Sequence, residues 1–122
     1  MIPPMATTLY GIANCDTVKK ARAWLADHGV EHRFHDFRKD GVPPQQLERW
    51  LREFGWERVV NRQGTTWRRL DAATQASVKD AGSAHGFLLA HPAAIKRPVV
   101  EWQDGRRTIG FTPGEWVLPG SQ

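Results

Sequence analysis

The stretch from Thr7 to Phe37 constrains the fold most, because three different periodicities follow one another without a gap. "TTLYGI" is apolar and β-branched and is bounded by Gly11, the pattern of a buried strand. Asp16–His28 then places Val18, Ala21, Trp24, Leu25 and His28 at spacings of three and four, with Lys19, Lys20, Arg22 and Asp27 opposite. That is an amphipathic helix. Asn14 and Asp16 are its candidate N-caps, and Gly29 is its natural stop. "VEHRFHDF" alternates and predicts a second strand. A strand–helix–strand unit implies parallel strands joined by a right-handed crossover.

The remainder is helical in the middle and strand-like at the end. "RKDGVPP" is a turn. Pro43 or Pro44 opens a helix striped by Leu47, Trp50, Leu51 and Phe54 and ended by Gly55. "VVNRQGTTWRRLD" reads as a loop and a helical turn; "DAATQASVKDAGS" and "HGFLLAHPAAI" read as two short helices, the second stopped before Pro92. In "RPVVEWQDGRRTIGF", Val99–Trp102 and Arg107–Phe111 flank Asp104-Gly105, a pair favoured by two-residue type I′ hairpins. "TPGEWVL" adds a last helical turn. The expected fold class is α/β: a mixed four-stranded sheet, compatible with a thioredoxin-like core, with a helical insertion between its β-α-β and β-hairpin halves. Residues 1–7 are expected to be a disordered N-terminal extension, 8–118 a single domain and 119–122 a C-terminal tail.

Composition narrows the function classes. A chain of 122 residues can bury a core without disulfides or a structural metal. Its single cysteine cannot form an internal disulfide, so nothing points to an oxidising compartment. "MIPPMATT" lacks the charged and apolar regions of a signal peptide, and no run reaches the length of a membrane span. A cytoplasmic protein without a membrane partner is expected. The formal charge is +4 and the pI about 9.7. The cations are scattered in pairs between acids, with no aromatic stacking platform, so nucleic acid is not the expected partner. A peptide thiol with two carboxylates, or an oxyanion, suits such a surface. Trp24, Trp50 and Trp67 fall in helix-like segments and are expected to pack.

Cys15 sits at the junction of the first strand and helix. There it would face free backbone N–H groups and the positive end of the helix dipole, both of which favour a thiolate. Lys19, one turn on, would add its charge. Asp16 would oppose it, and a buried, inert cysteine is the alternative. "IKRPVV" offers a second element. Either Pro98 opens a strand beside two solvated cations, or Arg97 is a fixed guanidinium for an anion with a cis Pro98 shaping the same pocket. His32, His35 and Asp36 lack the spacing of a metal set, since the two histidines would point to opposite faces of a strand. No metal is expected. Neither a nucleophile elbow nor a phosphate- or dinucleotide-binding glycine loop is present.

Together, "LYGIANCDTVKKARAWLADHGV", "FHDFRKDGVP", "NRQGTTWRRLD", "FLLAHPAAIKRPVV" and "GRRTIGF" resemble the ArsC-like family, which includes arsenate reductases and Spx regulators, in its YffB-type branch. The resemblance implies a thioredoxin-like fold, a nucleophilic Cys15 in the family's Cys-x-x-x-Lys/Arg pattern ending at Lys19, and a cis Pro98 after the anion-binding Arg97. It implies a site completed by Asn14 beside the thiol, with Gly11, Asn61 and Arg62 lining the substrate or glutathione position. Three departures separate this chain from an arsenate reductase. Gly11 stands where such enzymes carry a histidine, and the second and third arginines of their oxyanion site fall on Asn61 and near Phe111. Each lost charge-assisted hydrogen bond removes about 1.5–3 kcal/mol of oxyanion binding. Val18 replaces the second cysteine of the Spx switch. The implied activity is a glutathione-dependent thiol reductase with glutathione as co-substrate, no bound cofactor, and glutaredoxin as a further partner. A glutaredoxin-coupled arsenate reductase and a non-catalytic Spx-like regulator are the alternatives.

Overall fold

A computed structural model describes residues 6–118. Strand β1 (Thr7–Gly11) pairs in parallel with β2 (His32–Asp36), with Leu9 opposite Phe34, and the two are joined through helix α1 (Asp16–Asp27). Five further helices follow: α2 (Pro44–Phe54), α3 (Trp56–Val59), α4 (Thr65–Arg68), α5 (Ala72–Ser77) and α6 (Ala81–Ala90). A hairpin of β3 (Val99–Glu101) and β4 (Arg107–Ile109) completes the sheet in the order β2-β1-β3-β4. Strand β3 runs antiparallel to β1, so the sheet is mixed, as expected.

The chain span expected as a single domain forms two compact units. One contains the sheet and α1, and is assembled from residues up to Asp40 and from Arg97 onward; the other is Gly41–Lys96, entirely helical apart from one bridge between Val60 and Ile95.

In the sheet unit, the period-two alternation of β1 turns Leu9 toward α1. Leu9, Val100 and Trp102 pack there against Val18, Ala21 and Leu25 of the helix, all of them buried. Burying Leu25 alone contributes roughly 1.5–3 kcal/mol. Trp116 joins this core edge-on to Trp24, Trp102 and Phe111, with centroids 5.3, 5.1 and 4.6 Å away. On the opposite face Tyr10 lies against His35 and donates to Glu101 at 2.9 Å. In the helical unit α2 packs against α6 and α3; Leu47, Trp50, Leu51, Val59, Ala84 and Leu88 are all buried.

The structure departs from the sequence expectations at several points. Thr7 is a buried strand residue whose Oγ1 accepts from the Gln103 amide at 3.1 Å, so it does not belong to a disordered extension. The rest of that extension up to residue 5, and the tail at 119–122, lie outside the described residues. Cys15, rather than Asn14 or Asp16, occupies the N-cap of α1. His28 is the exposed C-cap, its ring stacked on Trp24 at 3.9 Å instead of joining the buried stripe. Helix α3 was not expected, because its four residues are too few to display a period. Helix α6 begins earlier than "HGFLLAH" suggests: Asp80 and Ser83 form a capping box that starts it within the preceding segment. The hairpin turn also differs. Trp102 pairs with Arg106 across a three-residue loop, and only Gly105 has a positive φ, at 92°. A type I′ turn would need positive φ at Asp104 too, so this is the longer hairpin loop ending in a left-handed glycine.

Candidate thiol site

β1 ends at Gly11, and Ile12 stays buried while Ala13 and Asn14 are exposed. Cys15 then adopts an extended conformation (φ −144°, ψ 120°), and its carbonyl accepts from the Lys19 amide at 2.9 Å to close the first turn of α1. In this position the half-buried sulfur faces the amides that a helix start leaves without intrahelical partners. The side chain makes no capping hydrogen bond of strict geometry. Its neighbours instead act on the thiolate electrostatically. Burial pushes the Cys15 thiol up, but the Val18 amide, the Arg97 guanidinium (by hydrogen bonding and by charge) and the Thr17 amide together bring it below the ordinary thiol value.

Arg97 reaches this point because of strand register. β3 pairs Val99 with Tyr10 and Val100 with Leu9, running antiparallel to β1. Continuing that ladder backwards along β3 carries Arg97 to the end of the sheet where β1 gives way to the Cys15 turn. The Arg97–Pro98 peptide is cis, Pro98 is buried, and its carbonyl accepts from the Gly110 amide at 2.9 Å. A half-buried guanidinium beside a half-buried sulfur, with helix amides completing the surround, can hold an anion next to a nucleophile.

Of the other expected residues, Lys19 is exposed and is not among the groups that act on the sulfur. Asn14 is exposed and provides no cap. The activation expected from these two comes instead from Arg97 and from the Thr17 and Val18 amides. Gly11 is buried against Val18, where a Cβ would lie 2.7 Å from Val18 Cγ2. Its visible role is close packing against Val18. Asn61 and Arg62 belong to the helical unit. There the Asn61 amide donates to Ala94 O at 2.8 Å, its side chain lies over Gly64, and Arg62 sits 5.6 Å over the Trp56 ring. His32 and His35 face opposite sides of the sheet, and the buried Asp36 accepts from the Arg38 amide at 2.8 Å. Among the described residues no group of three or more His, Cys, Asp or Glu is placed to hold a metal ion, and no helix is long and apolar enough to cross a membrane.

The free backbone donors expected at the helix start are those of Thr17 and Val18; which amides they would be could not be read, because an amide has no sequence letter. The signal that could have found them is a cysteine in the cap slot directly before the first apolar position of the helical stripe.

A family model described as "ArsC family" matches residues 10–117. The chain belongs to the ArsC family. A Haemophilus influenzae relative, named only as an uncharacterized protein, is 48% identical over 109 residues, covering 89% of this chain and 94% of its own. A global transcriptional regulator Spx from Streptococcus pyogenes is 27% identical over 111 residues, covering 88% and 80%. Among solved structures, a YffB protein matches with a TM-score of 0.83 at 48% identity, over 89% of this chain and 94% of that one. An ArsC-related protein from Brucella melitensis, described as arsenate reductase related, matches with a TM-score of 0.73 at 46% identity, over 94% of each chain. The fold is therefore the thioredoxin-like one of ArsC proteins.

Proposed function

We propose that this protein is a glutathione-dependent thiol reductase in which Cys15 is the nucleophile. The observation that carries the reading is the Arg97 guanidinium acting on the sulfur of the chain's sole cysteine. The thiolate attacks the glutathionyl sulfur of a mixed disulfide, forming a Cys15–glutathione disulfide and expelling the substrate thiolate. A second glutathione then attacks that adduct as its thiolate, releasing oxidised glutathione and regenerating the Cys15 thiolate; the proton it gave up goes to the expelled thiolate. Two electrons pass from glutathione to the substrate, and no second protein cysteine is needed. Arg97 holds a carboxylate of glutathione, while the Thr17 and Val18 amides stabilise the sulfur whenever it carries charge. The buried Pro98 fixes the wall that presents Arg97.

Turnover of a glutathionylated substrate with glutathione tests this directly. The expected result is activity that disappears in Cys15→Ser and falls at least tenfold in Arg97→Gln. Activity that survives in Cys15→Ser removes the proposal.

The similarity to an arsenate-reductase-related protein favours a second reading, reduction of arsenate at the same sulfur. An assay with arsenate, glutathione and glutaredoxin separates the two, since the first reading expects no arsenate turnover above the Cys15→Ser background.

A further inference from the structure

Gly11 has no conformational reason to be glycine. It is the last residue of β1, still paired with Asp36, and is not among the glycines with positive φ. The reason is spatial. A Cβ at this position would stand 2.7 Å from Val18 Cγ2 and 3.2 Å from Cγ1, but 3.6 Å from Val18 Cβ. Both γ-carbons of the valine are therefore seated on the bare Cα of the strand, and only the valine's branching makes the contact so tight.

The two sides of this contact are unequally held. Gly11 is fixed by its pairing with Asp36, and its carbonyl accepts from the Phe37 amide at 2.9 Å. Val18 is completely buried, and a β-branched side chain in a helix has one strongly preferred rotamer, so rotation cannot relieve crowding there. The first turn of α1 has no side-chain cap to anchor it. Pressure between strand and helix is thus relieved by moving that first turn, and the Val18 amide moves with its own side chain.

We propose that Gly11 is a positioning residue: its contact with Val18 seats the first turn of α1, so that the Thr17 and Val18 amides stay directed at the Cys15 sulfur. The inference rests on the reading of Cys15 as an activated thiolate. It adds that the closeness of strand and helix, and not only the presence of a helix start, sets the thiol's acidity. Spatial fit at Gly11 then tunes the nucleophile without touching it.

The test measures the Cys15 ionisation midpoint by alkylation rate against pH in the folded full chain. Gly11→Ala is expected to raise the midpoint by about one unit, which is about a tenfold loss of thiolate at a pH below it. Gly11→Ala/Val18→Ala should return it to the wild-type value, because the atom nearest the new methyl is then the Val18 Cβ at 3.6 Å, an ordinary contact. A residue with a purely structural role would lower the melting temperature of Gly11→Ala and leave the midpoint of the folded protein in place. If Gly11→Ala does not fold, Val18→Ile crowds the same contact from the helix side and should also raise the midpoint. An unshifted midpoint in whichever of these variants folds overturns the inference, as does a double variant that folds and keeps the raised value. A wild-type midpoint at or above that of a free thiol, about 8.5, overturns the thiolate reading itself and is told apart by needing no variant.

Discussion

Two cations stand close to Cys15 in sequence or in space, and only one of them acts on it. Lys19 follows at one helical turn, yet its side chain is exposed, and water screens what charge it projects. Arg97 is far away in sequence, but β3 delivers it to the sulfur half-buried, where a charge-assisted hydrogen bond is strong. Arg97→Gln is therefore expected to raise the Cys15 alkylation midpoint by about one unit, and Lys19→Ala to move it much less. Equal shifts in the two variants would contradict this assignment. The same site makes stability depend on pH. The folded thiol lies below its unfolded value, so its contribution is fully present above the unfolded midpoint of about 8.5 and is lost as pH falls through the lowered folded one. Chemical denaturation of the wild type and Cys15→Ser should accordingly show a stability difference that shifts in favour of the wild type as pH rises through that window. A difference that stays constant with pH would contradict it.

Among the elements, α6 shows how a helix can begin where its apolar pattern does not. Ser83 holds the Asp80 carboxyl below its usual range, through its hydroxyl first and its backbone amide second. Asp80→Ala should destabilise the helical unit at neutral pH. The effect should fade in acid: this stabilisation is present above the unfolded carboxyl value of about 3.9 and is lost as pH falls through the lower folded one. Melting curves of the two proteins at neutral pH and near pH 3 check both the direction and the fading. Trp50, completely buried on α2, has no such dependence, and Trp50→Ala should cost roughly 3–5 kcal/mol in denaturant titration. These elements also show what a sequence can reveal. β1, α1, β2 and the hairpin strands were legible because each shows a complete period between glycine or proline breaks. The starts of α3 and α6, and the hairpin's third loop residue, were not, because they depend on one hydrogen bond or one dihedral angle that many sequences share. At the site, Cys15 and Arg97 were visible as letters, the second as one of two readings of "IKRPVV" that the family resemblance then favoured. The free amides of the helix start were expected, but their assignment to Thr17 and Val18 and the fit of Gly11 against Val18 needed the folded chain.

At the scale of the whole molecule, the sheet unit is made from the two ends of the described chain, with Gly41–Lys96 between them. One of its two inner strands, β1, takes one neighbour from nearby in sequence and the other from beyond that span. This has a consequence for timing during synthesis. A nascent chain can present Cys15, α1 and β2 long before the ribosome reaches Arg97, and until β3 docks on β1 the cysteine lacks the guanidinium that, with the Val18 and Thr17 amides, lowers its thiol. The half-made protein is therefore expected to carry a more nearly ordinary thiol, and the full lowering is reached once the last strands close the sheet.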